Sequence, residues 1–203
     1  MSRGLGDVYK RQGIQSTNVS ATLKHFPGQG SSKGDTHIEN VNIDSSIAAL
    51  RKVDFVPFEK GIKAGADFVM VSHISVSRVT ETAQPASMSE LIMKTILREE
   101  LGFEGVIITD AMDMASITDK YSSEEAALGA FEAGADIILM PTDFEEAYKN
   151  ILSAVDSGEI GMDRLDESVQ RILTVKFMRG IIPENVDSCL LYTSPSPRDI
   201  SGS

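Results

Sequence analysis

The chain has 203 residues, enough for one domain with a sizeable core. Hydrophobic residues make up 41% and charged residues 24%, an ordinary globular balance, and no apolar run reaches the roughly 18 residues of a transmembrane helix. A formal charge of −11 argues against a nucleic-acid groove or an anionic membrane surface as partner, and a single cysteine excludes an internal disulfide framework.

The first segment, Ser2–Gln12 (SRGLGDVYKRQ), reads as neither helix, strand nor signal peptide. One back-translation of it has a reverse complement that, read one base on, encodes CLLYTSPSPR and begins the codon for Asp199. That is the segment Cys189–Asp199 at the other end of the chain. Unrelated termini are not reverse complements of each other, and the DNA resembles a transposon-type sequencing-library adapter. Residues 1–12 and 188–203 are therefore set apart as adapter-derived, and 13–187 is taken as part of one catalytic domain. With the ends removed no cysteine remains. The segment also becomes more acidic, because the ends hold Arg3, Lys10, Arg11 and Arg198 against only Asp7 and Asp199. Under this reading the true start is missing, so the lack of a signal peptide leaves localisation open.

Within 13–187 the elements alternate. Val19–Phe26 is an apolar run leading into PGQG. Ser45–Ala64 has helical spacing at Ile47, Leu50, Phe55 and Phe58, with a break or kink expected at Pro57. AGADFVM (Ala64–Met70) and AGADIILM (Ala133–Met140) repeat one idea: a helix end, a glycine suited to the left-handed cap, then a buried strand. LGFEGVIITD (Leu101–Asp110) is a third version. Between them, Ser87–Glu100 opens on a Ser-x-x-Glu capping pattern (Ser87, Glu90), and Ser122–Ala133 and Phe144–Ser157 read as helices. Asp163–Arg179 is a last helix with Leu165, Val169, Ile172, Leu173 and Phe177 on its apolar stripe. Parallel strands are expected near Ala21–Phe26, Phe68–Ser72, Val106–Thr109 and Ile137–Met140. Four such units form either a small doubly wound sheet or half of a (β/α)₈ barrel.

Parallel α/β folds carry their sites at the C-terminal strand ends. The first expected strand ends in Lys24-His25, before a loop bearing Asp35 and His37; the second ends in Ser72-His73; the third in Thr109-Asp110. A single histidine at such a place is more often a structural hydrogen-bonding residue. All three histidines of the chain fall at or just after a strand end, with a carboxylate among them, and that favours a site. Asp110 follows VIIT, which lifts it to the sheet's rim with little freedom, as suits a nucleophile. Asp35 and His37 stand i, i+2 on a Gly/Ser-rich loop, so the carboxylate can hold the imidazole for acid/base work. Asp-x-His is common in loops and is weak evidence alone. GQGSSKG (Gly28–Gly34) is neither a phosphate-binding P-loop nor G-x-G-x-x-G, because Lys33 falls at the wrong place for both. His25, Asp35, His37 and His73 match no zinc-ligand spacing, and neither metal nor other cofactor is expected.

KHFPGQGSSKGDTH (Lys24–His37) and GVIITDAMDM (Gly105–Met114) together resemble the two signature motifs of glycoside hydrolase family 3, in its bacterial β-N-acetylglucosaminidase branch. The resemblance runs from about Val19 to Ile182. GADFVMVSHI, GADIILMP and SVQRILTVKFMRG are similar to that family's sixth strand, eighth strand and last barrel helix. It implies an α/β fold, the C-terminal half of a (β/α)₈ TIM barrel. It also implies a retaining glycosidase that removes terminal β-linked N-acetylglucosamine from peptidoglycan- or chitin-derived oligosaccharides. In that scheme Asp110 is the nucleophile, His37 the general acid/base and Asp35 its orienting carboxylate. Lys24 and His25 bind hydroxyls of the sugar, and His73 is assigned to the same substrate-binding face. Met140 and Pro141 end the eighth strand without an assigned chemistry. Gln29 departs from the family's usual histidine, which puts loop contacts in question more than chemistry. The rivals are a β-glucosidase or β-xylosidase, which the Asp-Thr-His triplet disfavours; a phosphorolytic member; and a non-catalytic sugar-binding relative. Half a barrel would also leave sheet edges bare, so the segment alone is expected to be inactive.

Overall fold

The computed structural model describes residues 3–29 and 41–183. Three strands, β1 (Thr22–Phe26), β2 (Phe68–Val71) and β3 (Val106–Thr109), form a parallel sheet in that order. Phe68 to Val71 pair in unbroken register with Val106 to Thr109, whereas the β1–β2 register slips between Leu23 and Phe26. The fourth expected strand is reduced to a parallel bridge between Ile108 and Ile137. Its backbone still runs beside β3: the Ile137 N–H donates to the Ile107 carbonyl and its carbonyl accepts from Thr109, both at 3.1 Å. Met140 then turns into left-handed backbone (φ 49°), which ends the extended run. The result is an open α/β arc, part of a (β/α)₈ barrel, with helices on its outer face.

The helices follow from local chemistry. The Ser45–Ala64 segment divides into α2 (Ile47–Lys52), capped by the Ser46 hydroxyl on Ala49 N–H, and α3 (Phe55–Lys63). The break lies at Val53-Asp54; Pro57 sits in the first turn of α3, where its missing N–H costs nothing. Short α4 (Ser77–Thr80) and a 3₁₀ turn (Ala86–Met88) precede a helix wound with π geometry, Leu91–Glu100. Ser87 does not cap that helix as expected: the helix begins only at Leu91, with Glu90 at the cap position, and Ser87 lies in the turn before it. After β3 come α5 (Ala115–Thr118), α6 (Ser123–Ala133), α7 (Phe144–Ser157) and α8 (Met162–Met178). Ser122 and Glu125 close a reciprocal capping box on α6, and Asp143 caps α7. Among the described residues no helix is long and apolar enough to cross a membrane.

The core lies between the sheet and its outer helices. Phe26 at the end of β1 stacks on Phe55 (5.4 Å between centroids) and meets Phe58 edge-on (5.1 Å). Leu50, Val69, Val71, Ile92, Leu97 and Ile107 complete this buried layer. Gly61 lets α3 lie against β1: a Cβ there would stand 2.5 Å from a methyl of Leu23.

α8 departs from its apolar-stripe reading. Val169, Leu173 and Phe177 are 42–52% exposed, so the stripe is not a buried face. The helix is held instead by polar contacts at the N-terminal ends of the strands. Asp136, just before the fourth segment, accepts from Arg98 Nη2 at 2.6 Å, Arg171 Nη1 at 3.1 Å, the Ser168 hydroxyl at 2.7 Å and the Ile107 N–H at 2.8 Å; Arg164 stands 3.8 Å away. Burial pushes the Arg98 guanidinium down to about 10 against the pull of Asp136. Arg179, after α8, grips Asp67 with two bonds of 2.8 Å. The carboxylates of the two AGAD segments are therefore anchors for the last helix.

The expectation that Ser2–Gln12 forms no helix is corrected: α1 spans Arg3–Gln15. Leu5, Tyr9, Lys10, Arg11 and Gln12 have ordinary helix propensity, and α1 docks through Arg11 and Gln15, both donating to the Gly65 carbonyl at 3.0 Å. The sequence reading weighed the origin of the segment above its propensity.

Candidate active site

Asp110 stands one residue beyond β3, at the C-terminal end of the sheet. Its N–H continues the ladder to the Val71 carbonyl at 2.8 Å. Its Oδ1 accepts from the Ala111 N–H at 3.0 Å, and Oδ2 faces His25 Nε2 at 3.6 Å. The carboxylate is 14% exposed and the His25 ring 27%, so both sit at the rim of the protein with limited access to water. β1 and β3 thus bring a carboxylate and an imidazole, 85 residues apart in sequence, to one place.

His73, at the end of β2, is expected to line the same face and contact substrate. The structure corrects this. The ring is 1% exposed, and both nitrogens meet protein groups: Nδ1 lies 2.7 Å from the Ser87 hydroxyl and Nε2 lies 2.8 Å from the Ala111 carbonyl. A carbonyl only accepts, so Nε2 carries the proton and donates; neutral Nδ1 then accepts from Ser87. Burial pushes the imidazole below its ordinary value, opposed by the Ala111 carbonyl and by Asp110 and Asp113. His73 is therefore a neutral, buried group one residue removed from the nucleophile candidate, not a sugar contact.

Lys24 is exposed and lines a separate hollow of about 390 Å³ with Arg11, Leu23, Pro57 and Phe58, on the outer side of β1. β1 is the edge strand of the described sheet, and among the described residues no hydrogen bond or ion pair joins Lys24 to Asp110. Asp35 and His37 lie outside the described residues. The segment leading to them leaves β1 through Pro27 and Gly28. Gly28 (φ 123°) packs on Asp54 so closely that a Cβ would stand 2.7 Å from the Asp54 Cβ, which explains the glycine in PGQG. Burial raises the Asp54 carboxyl above its ordinary value. Among the described residues no three His, Cys, Asp or Glu side chains gather in a metal-binding group.

A carboxylate at the rim of a parallel sheet beside a histidine narrows the family, and comparison with known proteins decides it. The profile of the glycosyl hydrolase family 3 N-terminal domain matches residues 7–175. The chain belongs to glycosyl hydrolase family 3. Among curated members, a beta-hexosaminidase A of Pseudoalteromonas piscicida is 33% identical over 193 residues, covering 85% of this chain and 32% of that protein. A beta-hexosaminidase of Stenotrophomonas maltophilia is 34% identical, covering 76% of this chain and 49% of that protein. A solved family 3 beta-N-acetylglucosaminidase from Paenibacillus sp. str. FPU-7 superposes with a TM-score of 0.83 at 36% identity, covering 86% of this chain and 34% of the other. A solved beta-glucoside phosphorylase superposes at 0.79 with 30% identity, covering 87% and 33%. The chain thus spans a third to a half of the length of these relatives.

Sequence reasoning missed Ser87 and the Ala111 carbonyl. They are 14 and 38 residues from His73, and no local pattern joins them.

Proposed function

We propose that the complete protein carrying this segment is a retaining β-N-acetylglucosaminidase acting on peptidoglycan- or chitin-derived oligosaccharides. The observation that carries the reading is Asp110, raised by β3 to the sheet rim with one oxygen on the backbone and the other turned toward His25. The names of the curated relatives and the Asp35-Thr36-His37 triplet support the choice of substrate.

In the first step an Asp110 oxygen attacks the anomeric carbon and forms an ester as the bond to the leaving oxygen breaks. Protonated His37 gives its proton to that oxygen. In the second step neutral His37 takes a proton from water, the resulting hydroxide equivalent attacks the same carbon, and the ester bond returns its electrons to Asp110. Two inversions give retention. Asp35 favours the imidazolium that begins the first step and is regenerated in the second. Lys24 and His25 hold hydroxyls of the bound sugar. For Lys24 this needs its flexible side chain to swing from the outer hollow to the rim.

His37→Ala tests the acid role. Turnover should fall steeply on N-acetylglucosaminides with poor leaving groups and little on activated aryl ones, because only the former need a proton. Equal losses on both series would remove His37 from that role. The similarity to a beta-glucoside phosphorylase keeps a second reading in view, in which inorganic phosphate replaces water in the second step. Its mark is a sugar phosphate product that appears only when phosphate is added.

A further inference from the structure

We propose that Ser87 and His73 form a positioning relay for the nucleophile, acting through the carbonyl of Ala111; this rests on the reading of Asp110 given above. His73 touches no reacting atom in this scheme, so it is a positioning residue and not a catalytic one.

The geometry forms one chain of bonds. The Ser87 hydroxyl donates to His73 Nδ1 at 2.7 Å, and His73 Nε2–H donates to the Ala111 carbonyl at 2.8 Å. Ala111 N–H donates to Asp110 Oδ1 at 3.0 Å. Ala111 is thus held at its carbonyl by His73 while its N–H holds the carboxylate. With the Asp110 N–H tied to the Val71 carbonyl at 2.8 Å, the nucleophile is fixed on both sides of its Cα. One oxygen is turned to the backbone and the other is presented toward His25, 3.6 Å away.

Two further observations separate this arrangement from ordinary packing. The ring is 1% exposed and Ser87 is 0% exposed, so an apolar pair of similar volume would fill the space without any polar group to satisfy. Ser87 lies within the Ala86–Met88 turn, four residues before the Leu91–Glu100 helix, and its hydroxyl is committed to His73. The relay ties the turn after β2 to the residue that follows the nucleophile beyond β3, which are independent segments of the rim. Nucleophile placement is the quantity such a tie controls, and a misplacement of about 1 Å costs on the order of a hundredfold in rate.

The test uses the complete protein and 4-nitrophenyl β-N-acetylglucosaminide, with kcat, KM and thermal midpoint recorded for His73→Leu, His73→Gln and Ser87→Ala. In His73→Leu, kcat is expected to fall about a hundredfold while KM changes by less than about threefold. His73→Gln places an amide N–H near the lost Nε2–H and should recover about tenfold of that loss, whatever its thermal midpoint. Ser87→Ala should lower kcat about tenfold with a lowered midpoint but an intact fold at assay temperature, and it decides the matter if His73→Leu does not fold. The proposal is overturned if folded His73→Leu keeps kcat within about twofold of the parent. It is also overturned if Gln rescues nothing, or if Ser87→Ala is fully active. Asp110→Asn is run beside them: a fully active Asp110→Asn removes the nucleophile assignment itself, whereas an inactive Asp110→Asn with active His73 and Ser87 variants removes only the relay.

Discussion

Asp110→Asn in the complete protein should abolish turnover of an aryl N-acetylglucosaminide, with kcat falling on the order of 10⁴-fold or more. That is about 5.5 kcal/mol of transition-state stabilisation. The amide has nearly the shape of the carboxylate, so Ala111 N–H keeps an acceptor and the rim keeps its fold. Only the anionic oxygen that attacks carbon is lost. Binding of the product sugar should therefore survive while chemistry does not, and the two are separated by titrating the variant with N-acetylglucosamine. A variant that lost binding and turnover together, with a lowered thermal midpoint, would point to collapse of the rim instead of loss of a nucleophile.

The largest effect on stability is expected at the opposite end of the sheet. Asp136 has a fully buried side chain and is the shared acceptor for Arg98 and Arg171, with Arg164 beside them. Asp136→Leu removes the buried anion that three partly buried guanidiniums share, leaving only the more exposed Glu167 beside Arg171; it also takes the acceptor of the Ser168 hydroxyl and orphans the Ile107 N–H. Breaking a buried ion cluster by removing one partner costs roughly 3–5 kcal/mol. A denaturant melt of the complete protein should show that loss, and α8 should become the first segment to exchange its amide hydrogens. A change under about 1 kcal/mol would mean that α8 is held by other contacts.

The two ends of the sheet were unequally legible in the sequence. The position of Asp110 was readable because one strand delivers one residue: VIIT lifts it to the rim regardless of what packs behind it. The helices α6 and α7 were readable because their signals are local, the Glu- and Ala-rich run of one and the terminating Gly158 of the other; their caps, Ser122 with Glu125 and Asp143 with Glu146, are equally local. The AGAD echo was visible, but its aspartates were passed over as part of a turn. Their partners, Arg179 and the Arg98, Arg164 and Arg171 cluster, lie 28 to 112 residues away, and only the folded chain brings them together. The same distance hid the roles of Ser87 and His73. The fourth strand was expected from an apolar run that is present, yet it pairs on one side only and survives as a single bridge. The stripe of α8 misled because periodicity reports a face and not what covers it: the side turned to the protein holds buried Ser168 and Val175 with partly buried Arg164 and Arg171.

The most direct measurement is to trap the intermediate. The complete protein is incubated with the 5-fluoro glycosyl fluoride of N-acetylglucosamine, digested, and its peptides weighed. The account predicts one added sugar, on the peptide containing Asp110, with an ester bond that turns over slowly in water. A sugar found on any other carboxylate, or an unmodified Asp110 peptide from enzyme that the reagent has inactivated, would contradict it.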